Sequence, residues 1–294
     1  MSTVAVLGAG GVGGFVAAAL QRAGADVRVV ARPETAAALR ERGFTVTSRA
    51  LAAEFTAPAR AVTELRDPVE VMFMATKATG LAAALERVPS APGLVVPLLN
   101  GVEHLNVLRA RFGTGRVAAA VIRIESDRPS PGVIVQTSPS VRVDIAGAET
   151  KLSDVAVLLA AAGIDVRIQN SEAEVMWSKL ARLCALALTT SASDRPIGYV
   201  RSDPRWRSAL EGAVNETVAV ANADGAGLDA RDTLAELDAA HAELGSSMQR
   251  DIAAGRPTEL DAIAGAVLRA GQRHGLHCPT VQWLAARVAL RTAA

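Results

Sequence analysis

The stretch Thr3-Val4-Ala5-Val6-Leu7-Gly8-Ala9-Gly10-Gly11-Val12-Gly13 decides the fold of this chain. Its first part is β-branched or apolar, which predicts a buried parallel strand. The rest matches the pattern G-x-G-x-x-G and continues into an Ala-rich segment, residues 12–23, that predicts a helix capped by Gly24. Glycines placed between a strand and a helix indicate a dinucleotide-binding loop.

Each residue of this loop has an expected role. Gly8 permits the tight turn, Gly10 lets a pyrophosphate approach the backbone, and Gly13 lets the helix pack close to the strand. The helix that begins at Val12 offers free N–H groups and a positive dipole end that attract phosphate, and Gly11 precedes it within the loop. We therefore predict that residues 8–13 bind a dinucleotide. The alternative is a glycine-rich turn without a ligand.

Strand and helix patterns alternate after this loop. Residues 26–31, 69–75 and 94–99 predict buried strands, and residues 81–87 predict a helix between the last two. This alternation predicts a Rossmann-type, doubly wound parallel sheet. The β-rich segment 117–145 is expected to add strands that finish the same sheet, and residues 164–168 are expected to form a last strand.

The second part of the chain has a different character. Six segments after Asn170 predict helices: residues 172–190, 204–223, 230–244, 247–254, 259–274 and 280–292. All five Phe precede residue 113, whereas the three Trp and the Tyr follow residue 176, so the two parts build their cores differently. We predict an α/β fold, with a cofactor-binding domain at 1–169 and an all-α substrate and catalytic domain at 170–294. A ligand is expected in the cleft between two such domains.

Composition excludes several classes of protein. The chain has 294 residues, of which 50% are hydrophobic and 21% are charged, which is typical of a globular protein. Its net charge of +1 provides no general attraction for nucleic acid or an anionic membrane. It shows no signal peptide, no membrane-spanning apolar run and no CxxC pattern, so a cytoplasmic protein is expected. The scattered histidines predict no metal site.

Three cationic residues are candidates for a role in the site. Arg32 follows the second strand, where an acidic residue would hold the ribose of NAD(H), so it favours the 2′-phosphate of NADP(H); nearby Glu34 leaves NAD open. Lys77 follows a buried strand, at the sheet edge where ligands bind. Lys179 lies on a helix that is apolar around most of its circumference, where a charge needs a partner or a polar cleft. The remaining lysine, Lys151, is expected at the surface.

These motifs resemble those of the ketopantoate reductases (2-dehydropantoate 2-reductases) along nearly the whole chain. The matching residues are the loop 8–13, Arg32, Ala75-Thr76-Lys77, Leu99-Asn100-Gly101-Val102, Trp177-Ser178-Lys179-Leu180, Ser246-Ser247-Met248, Asp251, Arg256-Pro257-Thr258-Glu259, Gly265 and Pro279. The block spanning residues 246–259 is the most specific part. The resemblance implies NADPH-dependent reduction of a 2-oxo acid to a 2-hydroxy acid, first of all 2-dehydropantoate to pantoate in pantothenate and coenzyme A biosynthesis.

The resemblance also implies roles for single residues. Lys179 would be the general acid that protonates the substrate carbonyl, and Glu259 would bind the substrate and orient Lys179. Ser247 would donate a hydrogen bond to the substrate carboxylate, while Asn100 and Lys77 would line the nicotinamide side. Simpler structural roles stay open: a helix cap for Ser247, a helix N-terminal acid for Glu259 and an Asn-Gly turn for Asn100.

One region departs from the family pattern. The family usually carries Asn at three positions near the catalytic lysine where this chain has Leu183, Ala187 and Ile197, although Thr189 and Thr190 are nearby. This departure favours two alternatives, a reductase of a more apolar 2-oxo acid and a non-catalytic NADP(H)-binding regulator. A reductase of the β-hydroxyacid dehydrogenase type is a third alternative, although its helix lysine is also followed by an Asn and the block from Ser247 to Glu259 fits it poorly. The expected partners are a small 2-oxo acid and, as one option, a second copy of the chain in a homodimer.

Overall fold

A computed structural model of the chain describes residues 3–147 and 149–292, with the side chains of residues 149–151 outside the description. The expectation that Lys151 is a surface residue falls on this undescribed part. The chain divides into two compact units. The first comprises Met1–Leu99 and His104–Glu172, and the second comprises Asn100–Glu103 and Ala173–Ala294. The short segment Asn100–Glu103 therefore belongs with the second unit although both its neighbours belong to the first.

The first unit is built on a parallel sheet. Its strands in chain order are β1 (Thr3–Leu7), β2 (Asp26–Val30), β3 (Phe44–Ser48), β4 (Ala53–Ala57), β5 (Arg60–Val62), β6 (Val71–Met74), β7 (Leu94–Pro97), β8 (Ala119–Arg123), β9 (Ser126–Ser130), β10 (Val133–Gln136), β11 (Arg142–Ala146) and β12 (Asp165–Ile168). The central sheet has the order β5-β2-β1-β6-β7 and is parallel throughout. Strands β6 and β7 are buried at every residue, as apolar runs with both faces covered require.

Helices connect these strands. They are α1 (Gly11–Arg22), α2 (Pro33–Arg42), α3 (Leu81–Leu85), α4 (His104–Phe112) and α5 (Glu149–Ala161). Helix α1 ends where expected: Gly24 has φ +89°, and the N–H of Ala25 donates to the carbonyl of Leu20 at 3.1 Å. The prediction of an α/β fold with a parallel central sheet is confirmed.

Segment 117–145 was expected to finish the central sheet, and within the described residues it joins that sheet at one parallel bridge, from Val117 to Val95 of β7. Its strands belong to two further sheets, β4-β3-β10-β9 and β12-β11-β8. Strand β10 pairs with β3, which, like β4 and β5, was not predicted, and β11 pairs with β8 and β12. The buried and exposed residues of β3 alternate, so this strand needs a cover on one face only. A local pattern of this kind predicts a strand but not its partner.

The second unit is helical. After α5 the helices are α6 (Glu172–Ser193), α7 (Ile197–Ser202), α8 (Pro204–Ala223), α9 (Ala230–Asp238), α10 (Ser247–Ala253), α11 (Ala266–Arg273) and α12 (Pro279–Thr292). A π-helical segment, Asp261–Gly265, leads directly into α11. Their apolar side chains form a separate core that includes Leu180, Leu210 and Val281. Within the described residues, no helix combines the length and the apolar character needed to cross a membrane.

Helices α2 and α4 were not predicted from the sequence, and in the second unit α9 and α7 differ from the prediction. The helix expected over 230–244 ends at Asp238, because Arg201 donates to the carbonyls of Leu237 at 3.0 Å and Ala240 at 2.8 Å. These bonds satisfy carbonyl groups that a longer helix would use itself. Arg201 lies on α7, a helix that the sequence did not indicate. The end of α9 is therefore set by a residue distant in the chain.

Candidate active site

The glycine loop after β1 is held by two very close backbone approaches. Gly8 has φ +102°, and a Cβ on it would lie 2.8 Å from the carbonyl oxygen of Ala75. A Cβ on Gly13 would lie 1.9 Å from the carbonyl oxygen of Gly8. No side chain fits at either position, so the turn and the close packing of α1 on β1 both require glycine.

Gly10 differs from its neighbours because its surroundings are open. It is the N-cap of α1, and a Cβ built on it would meet nothing within 4 Å among the described residues. No described side chain caps the helix, so the N–H groups of its first turn are available to a ligand. The loop therefore fits a pyrophosphate at a helix N-terminus.

A contact at Gly11 was not predicted from the sequence. A Cβ on Gly11 would lie 2.6 Å from the carbonyl oxygen of Ser126, at the start of β9. The Ser126 hydroxyl donates to the carbonyl of Gly11 at 2.9 Å. Gly11 is thus required by contact with a second sheet, and nothing in the local sequence signals it. Val12 is partly buried against the apolar core of the same unit.

Two predicted cations lie at the same edge of the central sheet as the glycine loop. Arg32 follows β2 and is the N-cap of α2, and Lys77 follows β6 and precedes a short 3₁₀ turn. Both residues are exposed. Because β2, β1 and β6 are parallel neighbours, Arg32, Gly8 and Lys77 share one carboxyl edge, where open α/β sheets bind ligands.

Thr76 lies in the segment Ala75-Thr76-Lys77 that matches the family, but no role was predicted for it from the sequence. Its Oγ1 is buried and has no hydrogen-bond partner among the described residues. Its Cγ2 would lie 3.1 Å from a Cβ on Gly8, so the side chain adjoins the loop. The available signal was a polar residue shortly after a buried strand, two positions beyond Met74.

Lys179 lies near the start of α6 and is half-buried. Its neighbours Trp177 and Leu180 are buried in the core of the second unit. The indole Nε1 of Trp177 donates to Asp224 at 3.2 Å, which fixes this part of the helix. The helix is buried as expected, so its packing fixes the side of α6 from which the Lys179 side chain projects.

Asn100 and Glu259 meet, although 159 residues separate them in the chain. The Nδ2 of Asn100 donates to Oε2 of Glu259 at 2.9 Å. Glu259 is only 8% exposed, so its carboxylate needs such a partner. The residue after Asn100 is Gly101, with φ +84°, which makes the Asn-Gly turn that the sequence suggested. Asn100 and Glu259 both belong to the second unit.

Ser247 is not the helix cap that was considered for it. It is the exposed first residue of α10, and the cap is Ser246, whose hydroxyl accepts from the N–H of Gln249 at 3.1 Å. Ser246 is buried, and its Oγ lies 3.0 Å from Oγ1 of Thr190. The capping alternative therefore applies to Ser246 and leaves the Ser247 hydroxyl exposed.

The three apolar replacements are in different environments. Ala187 and Ile197 are fully buried in the core of the second unit, whereas Leu183 is only partly buried. Leu183 follows Lys179 by one helical turn and lies on the same side of α6. Of the three positions, Leu183 is the one with exposed surface near the predicted general acid.

A parallel sheet with a glycine loop at its carboxyl edge, joined to a helical unit with a buried carboxylate, is typical of nucleotide-dependent oxidoreductases. Comparison with known proteins narrows this class to one family. Residues 4–149 match the family model described as "Ketopantoate reductase PanE/ApbA", and residues 173–292 match that of its C-terminal region. The chain belongs to the ketopantoate reductase family, whose members are NAD(P)H-dependent oxidoreductases. The predicted family and enzyme class are confirmed.

Individual relatives agree with this assignment. The chain is 31% identical over 290 residues to the 2-dehydropantoate 2-reductase of Caulobacter vibrioides, with 95% of each chain covered. The crystal structure of 2-dehydropantoate 2-reductase from Geobacter metallireducens has a TM-score of 0.90 at 24% identity, covering 98% and 99% of the two chains. The ternary structure of D-mandelate dehydrogenase with NADH and anilino(oxo)acetate has a TM-score of 0.89 at 20% identity, covering 99% and 98%. These two structures share the fold.

Proposed function

We propose that this protein reduces 2-dehydropantoate to pantoate with NADPH, a step in pantothenate and coenzyme A biosynthesis. The observation that carries the proposal is the buried Glu259 carboxylate held by the Asn100 amide. A carboxylate kept in one orientation, in a unit that also presents Lys179, suits the binding of a small polar substrate. The naming of the Caulobacter relative supports this choice of substrate.

The residues of the second unit would perform the acid–base part of the reaction. Lys179 would donate a proton to the carbonyl oxygen of the 2-oxo acid, which becomes the hydroxyl of the product. A lysine suits this role because an arginine hardly ever gives up its proton. Glu259 would bind the substrate and orient Lys179, and the exposed Ser247 hydroxyl would donate a hydrogen bond to the substrate carboxylate.

The residues of the first unit would bind the cofactor, which supplies hydride to C2 of the substrate when bound. Gly8, Gly10, Gly11, Val12 and Gly13 would hold the pyrophosphate at the start of α1. The exposed guanidinium of Arg32 would bind a 2′-phosphate, which favours NADP(H) over NAD(H). Lys77 and Asn100 would contact the nicotinamide half. This division corresponds to domains at 1–169 and 170–294.

A second candidate substrate is a 2-oxo acid with a more apolar side chain. The partly buried Leu183, one turn from Lys179, supports it, because a leucine there contacts apolar atoms better than the amide it replaces. The similarity of fold to a mandelate dehydrogenase is compatible with it. A regulator that binds NADP(H) without turnover is the remaining alternative.

A substrate screen tests the proposal. The purified protein is given NADPH and a panel of 2-oxo acids that includes 2-dehydropantoate and branched and aromatic compounds, and NADPH oxidation is followed. We expect the highest kcat/KM for 2-dehydropantoate. A clear preference for an apolar 2-oxo acid selects the second candidate, and tight NADPH binding without any turnover selects the regulator.

Variants of Lys179 test the mechanism in the same assay. We expect Lys179→Ala to lower kcat by about 10²- to 10⁴-fold, the usual contribution of a general acid. Lys179→Arg keeps the charge but cannot donate the proton, so a similar loss is expected. Arg231→Gln is the control, because Arg231 is exposed and the ion pair described for its guanidinium is with the nearby Asp229 in the same unit. Full activity of Lys179→Ala would exclude the proton-donor role.

A further inference from the structure

The segment Asn100–Glu103 has contacts that extend beyond the pair Asn100–Glu259. Glu103 accepts two parallel hydrogen bonds from the guanidinium of Arg269: Nε donates to Oε1 at 2.9 Å and Nη2 to Oε2 at 2.7 Å. Such a bidentate pair fixes distance and orientation together. The far end of the segment is therefore attached to α11.

Arg269 is held from its other side by Asp261. Its Nη1 donates to Oδ1 of Asp261 at 2.7 Å, and its Nη2 donates to the Asp261 carbonyl at 3.2 Å. The hydrogen bond to Glu103 raises the pKa of the Arg269 guanidinium most, and the one to Asp261 adds to this effect, so the guanidinium stays charged. A Cβ on Gly265 would lie 2.4 Å from Oδ1 of Asp261 and 2.9 Å from Nη1 of Arg269. A side chain at position 265 would therefore collide with the Asp261–Arg269 ion pair, and glycine avoids this.

The middle of the segment rests on the π-helical turn. A Cβ on Gly101 would lie 2.4 Å from the carbonyl oxygen of Ala262, so the backbone at Gly101 packs directly on the residue that follows Asp261. Val102 packs against the apolar core of the second unit. The segment Asn100–Glu103 contacts residues 259–269 in chain order: Asn100 with Glu259, Gly101 with Ala262, and Glu103 with Arg269.

We propose that Arg269, bridging Glu103 and Asp261, is a positioning residue that fixes the turn at Asn100 and so holds the Asn100 amide on the carboxylate of Glu259. Without this bridge, the segment would be restrained by the hydrogen bond at Asn100, the packing of Gly101 on Ala262 and the packing of Val102. The Asn100 side chain would then sample other rotamers, and its hydrogen bond to the Glu259 carboxylate would be weakened. The inference rests on the proposed function for its catalytic consequence, but the arrangement can be tested without turnover.

The kinetic test compares two changes at Arg269 with the control Arg231→Gln. We expect Arg269→Gln to lower kcat with the best 2-oxo acid by about 10- to 100-fold, the effect of a misplaced group at a reacting centre. The Kd for NADPH should change much less than kcat, because Arg269 would act on the cofactor only through Asn100 and leaves the residues proposed to hold the pyrophosphate unchanged. Arg269→Lys keeps the charge but cannot span both carboxylates, so an intermediate loss is expected. A kcat equal to that of the wild type in Arg269→Gln would overturn the proposal.

A double-mutant cycle separates positioning from general destabilisation. If Arg269 acts through Asn100, then Arg269→Gln should have no further effect on kcat/KM once Asn100→Ala is present. A merely structural role predicts losses that multiply in the double variant. Multiplying losses would therefore contradict the proposal, even if each single variant is impaired.

A spectroscopic test does not depend on activity. The chain has five asparagines, so the side-chain amide signal of Asn100 can be assigned in ¹⁵N spectra by its loss in Asn100→Asp. We expect this signal to shift in Arg269→Gln and in the milder Glu103→Gln, and to stay in place in Arg231→Gln. An unchanged signal in both variants overturns the positioning role. A shifted signal in a protein that reduces no 2-oxo acid would leave the positioning role intact and refute the proposed function.

Discussion

In the glycine loop, Gly13 is required for folding, whereas Gly10 is expected to matter only for binding of the cofactor. Gly13 has no room for a side chain, because a Cβ there would lie 1.9 Å from the carbonyl oxygen of Gly8. Gly10 has φ −78° and open space around it, so alanine fits there without strain. The same substitution at two positions of one motif should therefore have different consequences.

We expect Gly13→Ala to lower the free energy of unfolding by about 3 kcal/mol, since the backbone must move apart to admit the methyl group. Gly10→Ala should change stability by less than about 0.5 kcal/mol but weaken NADPH binding at least tenfold, because the methyl group would occupy the approach to the backbone. Urea unfolding and NADPH titration measure the two effects. Equal NADPH affinity in Gly10→Ala and the wild type would argue against a pyrophosphate at this loop.

Arg32 is the residue on which the preference between cofactors depends. Its loss should remove charge-assisted hydrogen bonds to a 2′-phosphate and leave the rest of the cofactor site intact. We expect Arg32→Ala to raise the KM for NADPH by about 10- to 100-fold with little change for NADH. Arg42→Ala, at the other end of α2, is the control. Equal effects on both cofactors would refute the assignment to NADP(H).

Among the helices, α10 begins with two adjacent serines that have different structural roles. Ser246 is buried and caps the helix, whereas Ser247 is exposed on its first turn. The sequence S-S-M offers both hydroxyls for either role, since a capping serine and a ligand-binding serine have the same chemistry. The fold decides by placing Ser246 beside Thr190 of α6.

We expect Ser246→Ala to lower the free energy of unfolding by about 1–2 kcal/mol, as the loss of a cap usually does. Ser247→Ala should leave stability within about 0.5 kcal/mol of the wild type and raise the KM for the 2-oxo acid. Thermal unfolding and steady-state kinetics distinguish the two variants. The reverse pattern, with Ser247→Ala the less stable protein, would contradict this division of roles.

Elements with a continuous apolar run or a clear helical period were predicted well, whereas the alternating strand β3 was not. Strand β1 and helix α8 have the predicted bounds, because continuous apolar runs and a helical period are local properties. Strands β3 to β5 were missed, and the pairing of β10 with β3 was not foreseen. Pairing depends on which exposed edge is available, and that is a property of the assembled sheet.

For the molecule as a whole, a buried thiol in the core of the second unit links the stability of the fold to pH. Cys184 is fully buried, and burial raises the pKa of its thiol from 9.0 to about 12, although a hydrogen bond with Thr217 acts in the opposite direction. Between these two pH values the unfolded chain loses the proton and the folded chain keeps it. This contribution to stability is therefore complete below about pH 9 and is lost as the pH rises to about 12.

We expect the stability of the wild type to fall with rising pH in this range, with a contribution from Cys184 of at most about 1.4 kcal/mol per pH unit. Cys184→Ala should have a smaller slope, whatever its absolute stability. Urea unfolding at several alkaline pH values measures the slope, and Cys278→Ala, which removes the less buried thiol, is the comparison. An unchanged slope in Cys184→Ala would show that the thiol ionises equally in both states.

The sequence by itself determined the class of fold, the position of the glycine loop and the membership of the family. These follow from local patterns, because apolar runs, glycine spacing and short motifs do not depend on distant residues. The roles assigned to Lys179, Lys77 and Ser247 stay predictions. Only the tertiary structure decided that Asn100 leaves the first unit, meets Glu259 and is bordered by the bridge from Arg269 to Glu103. The physical reason is that a buried carboxylate takes its partner from whatever the folded chain brings near it.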